Sequence, residues 1–142
     1  MDSTDRKIIK ILQDNGRISM KDLGQSVGLT SPAVSERVKR LEENNIILAY
    51  KAIINPKKLN KNVSAFMNIS LPADKYSHFV DFANNNDSIV ECHHITGQGC
   101  VIIKVLVPNM DDLESLIDTI KQMGSTQTHI ILSSPIESKS IL

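Results

Sequence analysis

Four cations, Lys21, Arg37, Lys39 and Arg40, fall close together in the stretch from Ile18 to Ile47. Guanidinium and ammonium groups donate to phosphate oxygens, which positions a protein on a duplex, and to guanine edges, which specifies sequence. Ser35 can contact a base edge, and Glu36 can accept from the amino group of cytosine. Thr30, Ser31 and Pro32 precede an apolar-periodic run, so they open a helix whose free amides favour a phosphate. The candidate duplex contacts are therefore Lys21, Thr30, Ser31, Pro32, Ser35, Glu36, Arg37, Lys39 and Arg40. A plainer reading competes: Glu36 and Arg40, four apart on a helix, can form a solvated pair worth only a few tenths of a kcal/mol.

A second set of reactive types is Cys92, His93, His94, Cys100 and His129. Zinc favours such ligands. Yet His93 points opposite to His94 on a strand, the two cysteines lack metal-type spacing, and a Cys on a strand is most often a small hydrophobe. The reading is no metal and no cofactor. No nucleophile, base and orienting group can be grouped, so the chain reads as a non-enzyme. Gly97 and Gly99 flank Gln98 in a turn of the kind that needs positive φ.

The elements that hold the first set read as three helices. Asp2 caps the first, with Asp5 in its first turn and Ile8, Ile9 and Leu12 facing inward. Asn15 and Gly16 stop it. Ser19 caps a second helix, Met20 to Val27, which buries Leu23 and Val27. Gly28 makes a tight turn and Leu29 plugs the core. Thr30 opens the third helix, with Pro32 in its first turn where no intrahelical donor is lost. Val34, Val38 and Leu41 face inward. Pro32, Ala33, Glu36, Lys39 and Arg40 point away, with Ser35 and Arg37 on the flanks. This is the layout of a helix-turn-helix. Ile46 to Ile54 is β-prone and predicts one or two short strands, a wing.

Charge supports the division of labour. The chain of 142 residues has formal net charge zero. From Met1 to Lys61 it carries twelve bases against seven acids, and beyond that four against nine, or +5 and −5. Such asymmetry points to a nucleic-acid-facing first part. At 41% apolar the chain can build two small cores, and no apolar run approaches the ~18 residues of a membrane span. With no basic and apolar leader pattern and only two cysteines, the expected location is the cytoplasm.

After Asn60 the pattern changes. Strand alternation over Val63 to Leu71 is followed by a helix with Tyr76, Phe79, Val80 and Ala83 on one face. Strands follow at Ile89 to Ile95 and Cys100 to Val107. A helix capped by Asn109 then buries Leu113, Leu116, Ile117 and Ile120, and a last strand runs Thr126 to Leu132. The order βαββαβ is the split βαβ of ferredoxin-like domains. Such a sheet leaves one face bare, with Phe66 and part of the Val101–Val107 run on it, and a large apolar patch marks an interface. The expected class is α+β, with a winged helix-turn-helix domain over 1–60 and a ferredoxin-like, dimerising domain over 61–142.

The run GLTSPAVSERVKRLE, Gly28 to Glu42, together with ECHHITGQG (Glu91 to Gly99) and VPNMDDL (Val107 to Leu113), resembles the Lrp/AsnC family of feast/famine regulators in motif and order. The resemblance implies a DNA-binding transcription regulator that pairs through an ACT-like (RAM) C-terminal domain and assembles further, to a tetramer or octamer. It also implies an amino-acid effector bound near Thr96, Gly97, Gln98, Gly99 and Cys100, with Thr126 and Thr128 lining the same cleft. Many members carry an acid where this chain has Cys100, and a thiol supplies no such charge. Siroheme decarboxylases resemble the same architecture. They make a tetrapyrrole enzyme using His93, His94 and His129 the alternative reading, with a metal-sensing regulator as a third.

Overall fold

The computed structural model describes residues 1–97 and 99–142. They form two compact units, 1–53 with 135–142, and 54–134. The division falls a few residues before Asn60, since the 3-10 turn Pro56–Leu59, capped by Asn55, counts with the second unit. The tail counts with the first, where the Ile141 amide donates to Gln13 Oε1 at 2.9 Å.

The first unit is helical. Helix α1 spans Ser3–Asp14 behind an Asp2 cap, α2 spans Met20–Val27 behind Ser19, and α3 spans Ser31–Glu43 behind Thr30. Gly28 ends α2 in the left-handed conformation at φ 72°, which suits a residue without Cβ. Ile8, Ile9, Leu12, Leu23, Val34, Val38 and Leu41 are buried together, with Val27 and Leu29 packed at the edge. Gly24 is a second required glycine. The Leu29 amide donates to its carbonyl at 2.8 Å, and a Cβ at Gly24 would lie 2.7 Å from the Leu29 carbonyl oxygen. The turn into α3 can close this tightly only because position 24 has no side chain.

The stretch Ile46–Ile54 forms no strand, contrary to the expectation from its residues. The Ile46 and Ile47 amides fold back onto the Leu41 carbonyl at 2.9 and 3.1 Å. Beyond them Leu48 and Ile53 are 83% and 91% exposed. A strand needs a neighbour to complete its ladder, and among the described residues none pairs with this stretch. Tyr50 is 48% exposed, and its hydroxyl donates to Glu42 Oε1 at 2.9 Å. Burial and that carboxylate push its phenol up to about 12.

The second unit is the expected βαββαβ. Strand β1 spans Val63–Ser70, α4 Tyr76–Asn84, β2 Ile89–His94, β3 Val101–Val107, α5 Met110–Lys121 and β4 Ser125–Ile130. The sheet order is β2-β3-β1-β4, with every neighbour antiparallel. Ala65, Met67 and Ile69 of β1 and Val101, Ile103, Val105 and Val107 of β3 are buried against Phe79, Ala83, Leu113, Leu116 and Ile120 of the two helices. On α4, Phe82 packs against this core and Val80 lies 37% exposed, the reverse of the expected role for Val80.

The opposite sheet face is mixed, where a plainly apolar patch was expected. Alternation turns Ile102, Lys104 and Leu106 of β3 and Phe66 and Asn68 of β1 away from the helices. Phe66 is 37% exposed. Its register partners are Lys104 on one side and His129 on the other. Lys104 Nζ reaches Glu91 Oε1 at 3.5 Å. Asn68 Oδ1, in the middle of this face, is shielded from water and has no partner among the described residues.

Candidate functional site

The outward side of α3 is built by the caps and the core together. Thr30 Oγ1 accepts from the Ala33 amide at 3.4 Å and Pro32 sits in the first turn, so the helix starts where the turn after Gly28 ends. Burial of Val34, Val38 and Leu41 then fixes which residues face out. Pro32, Ala33, Glu36, Lys39 and Arg40 are exposed, and Ser31 and Ser35 are half-buried on the flanks. Lys21, on α2, and Thr30 are exposed as well.

Lys39 Nζ lies 3.7 Å from Glu43 Oε1, both side chains well exposed. Such a pair is worth little and leaves the cation available. Glu36 and Arg40 form no ion pair, so the solvated pair considered from sequence is replaced by one between Lys39 and Glu43.

Arg37 departs from the set. Its Nη1 donates to Asp2 Oδ2 and Asp5 Oδ1, each at 2.7 Å. The Asp5 amide and the Arg37 guanidinium hold the Asp2 carboxyl down at about 2. The Asp2 amide does the same for Asp5, with Arg37 assisting, and the two carboxylates in turn raise Arg37. Both acids are depressed below their ordinary value in the folded state. Their contribution to stability is therefore in place above about pH 3.8 and is lost as pH falls toward 2. At neutral pH the cluster is fully charged. From sequence Arg37 reads as a duplex contact, because its two partners lie 35 and 32 residues away in the chain.

The residues implied as an effector cleft gather at one end of the sheet. Gly97 and Gly99 have φ of 99° and 84°, as a turn of this kind requires; Gln98 lies outside the described residues. The Cys100 amide donates to the Ile69 carbonyl at 3.0 Å, and Ile69 pairs with Thr126 in the sheet. Gly99 and Cys100 on one side and Thr126 on the other thus flank Ile69 near the end of β1, and Thr128 is two residues further along β4. Thr126 and Thr128 are half-buried. Cys100 is turned inward: its Sγ accepts from the Leu71 amide at 3.4 Å and packs against the core. Gly124 reinforces this end, since a Cβ there would run into the Ser70 carbonyl oxygen.

The histidines do not converge. The ring of His94 lies 5.0 Å from that of Tyr76. His93 Nε2 lies 3.4 Å from Glu91 Oε2. His129 is on β4, at the opposite edge of the sheet. Among the described residues no three His, Cys, Asp or Glu side chains gather as metal ligands, and no helix is long and apolar enough to cross a membrane. Burial pushes the Cys92 thiol up, which disfavours the thiolate that a metal or an electrophile would need.

Two family profiles match the chain: winged helix-turn-helix DNA-binding over residues 1–47, and Lrp/AsnC ligand binding domain over residues 64–141. The HTH-type transcriptional regulator YezC of Bacillus subtilis is 41% identical over 94% of this chain and 95% of its own length. Among solved structures, LrpC of Bacillus subtilis superposes with a TM-score of 0.92 at 30% identity, covering 97% of this chain and 99% of that one. A transcriptional regulator from Neisseria meningitidis, solved with L-methionine, superposes at 0.93 with 25% identity, covering 100% and 96%.

Proposed function

Because the chain belongs to the Lrp/AsnC family of transcriptional regulators, we propose that it seats α3 in the major groove of duplex DNA. In this reading Lys39 and Arg40 contact guanine edges or phosphates, and Glu36 and Ser35 read base edges. Thr30 and Ser31 hold a phosphate at the helix start, and Lys21 holds one from α2. The observation that carries it is the exposed basic side of α3, set by three buried residues on the other side and by a side-chain cap at its start. The helical unit is the DNA-binding part and the βαββαβ unit the effector and pairing part. The working species is a homodimer built on the mixed sheet face, able to assemble further to a tetramer or octamer, in the cytoplasm.

The test is selection of duplexes from a randomised pool by the purified chain. The expected product is a pseudo-palindrome with half-sites about one helical turn, ~34 Å, apart. Binding should weaken steeply with salt as counterions are released. Failure to enrich any sequence would refute the reading.

The effector follows from the same family. The Neisseria meningitidis relative was solved with L-methionine, and in this reading the chain takes an amino acid at the turn Thr96 to Cys100, with Thr126 and Thr128 lining the cleft. A ligand at a hundred times its Kd stabilises the folded state by about 2.7 kcal/mol, so a thermal-shift screen of the proteinogenic amino acids should raise the midpoint by several degrees for the true effector. Thr128→Trp should abolish that shift by filling the cleft. A flat screen would rule out an amino-acid effector. The blocking variant is placed on β4 because Gly97, at φ 99°, would be strained by any side chain.

A further inference from the structure

Arg37 stands on the helix that carries the duplex-facing residues, and its charge is turned the other way. Asp2 and Asp5 close a reciprocal capping box on α1: Asp2 Oδ1 accepts from the Asp5 amide at 2.8 Å, and Asp5 Oδ2 accepts from the Asp2 amide at 2.9 Å. The second oxygen of each carboxylate accepts from Arg37 Nη1 at 2.7 Å. All four carboxylate oxygens are thus used, two on the end of α1 and two on α3. The Asp5 side chain is 13% exposed and that of Arg37 24%, while Asp2 is 53% exposed, so the Arg37–Asp5 half of the cluster is the shielded one. The rest of the contact between these helices is aliphatic, made by Ile8, Ile9, Leu12, Val34, Val38 and Leu41. Apolar burial is non-directional. Charge-assisted hydrogen bonds are short and directional.

We propose that Arg37 is a positioning residue: by joining α3 to the capping box of α1 it fixes the roll of α3, and with it the direction in which Lys39 and Arg40 project. The idea rests on α3 facing a duplex. It assigns Asp2 and Asp5, at the start of α1, a part in sequence recognition. It also removes Arg37 from the charges that neutralise phosphate.

The two roles for Arg37 give opposite results in the variant Asp2→Asn/Asp5→Asn. Asn is as good an N-cap as Asp, so the end of α1 survives while Arg37 loses its counter-charges. If Arg37 positions α3, affinity for the duplex selected by the wild-type chain falls by about tenfold, the equivalent of roughly one base-edge interaction. The salt slope and the affinity for a scrambled duplex then stay as they were. Arg37→Met should do the same, and the triple variant should be no worse than either, because all three break one link. If Arg37 is instead a phosphate contact held in reserve, freeing it tightens binding and steepens the salt slope by about 0.9, which overturns the proposal. Unchanged affinity overturns it as well. The thermal midpoint of each variant confirms that the binding reactions contain folded protein. Should the double variant not fold, Arg37→Met carries the comparison by itself: the salt slope stays for a positioning residue and flattens by about 0.9 for a phosphate contact. Failure of the wild-type chain to select any duplex would sink the DNA reading, and this proposal with it. Selection by the wild type with unaltered binding by the variants would sink the clamp alone.

Discussion

Replacing Lys39 and Arg40 together with Ala is expected to weaken binding to the selected duplex by about a hundredfold or more. A good interaction with a base edge is worth about 1–3 kcal/mol of discrimination, and each phosphate left without its cation flattens the log–log salt slope by about 0.9. The double variant should therefore bind more weakly at low salt and depend less on salt. Both side chains are exposed on α3, and neither belongs to the buried set of that helix. The Lys39–Glu43 pair that disappears is a solvated one at 3.7 Å, so stability should change by less than about 0.5 kcal/mol. Titration of a labelled duplex at several salt concentrations, beside a melting curve, separates the two effects. Full affinity with an unaltered slope would mean that some other surface meets the DNA. That result would also remove the reason for the clamp at Arg37.

This experiment targets what was most legible in the sequence, and the reason is locality. A cap and the amide it accepts from are three residues apart, as at Asp2, Ser19, Thr30 and Asn109. The exposed side of α3 follows from 3.6-residue periodicity alone. The element order βαββαβ followed from alternation and from where the two helical patterns fall between strands. What escaped depends on partners distant in the chain. Arg37 meets carboxylates 32 and 35 residues away, and no spacing rule reaches that far. The need for Gly24 shows only once the fold brings the Leu29 carbonyl against it. Cys100 reads as a lining residue until the Leu71 amide is found on its sulfur. Ile46 to Ile54 shows the converse failure: its β-branched residues carry strand propensity, but propensity without a neighbour makes no ladder.

Phe66→Glu should separate the subunits while leaving each one folded. On the open sheet face Phe66 sits between the half-buried Ile102 and Leu106 rows and opposite Lys104. A carboxylate there gains a cross-strand cation within its own chain, a pairing worth about 0.2–1 kcal/mol, which offsets part of the ring's lost burial, and the core on the helix side of the sheet is untouched. Two copies pressed face to face would lose an aromatic anchor each and bring like charges together in a desolvated layer, which costs far more. Sedimentation should therefore show wild-type dimers or larger species, and a monomer for the variant at the same concentration. The consequence for DNA is larger than the interface itself. A dimer binds its second half-site intramolecularly, an advantage of about 10²–10⁴ in apparent affinity. The variant should lose it while keeping the weak, salt-dependent binding of a single α3. An unchanged mass for Phe66→Glu would place the pairing surface elsewhere. An unchanged mass with lost DNA binding would tie Phe66 to the duplex instead.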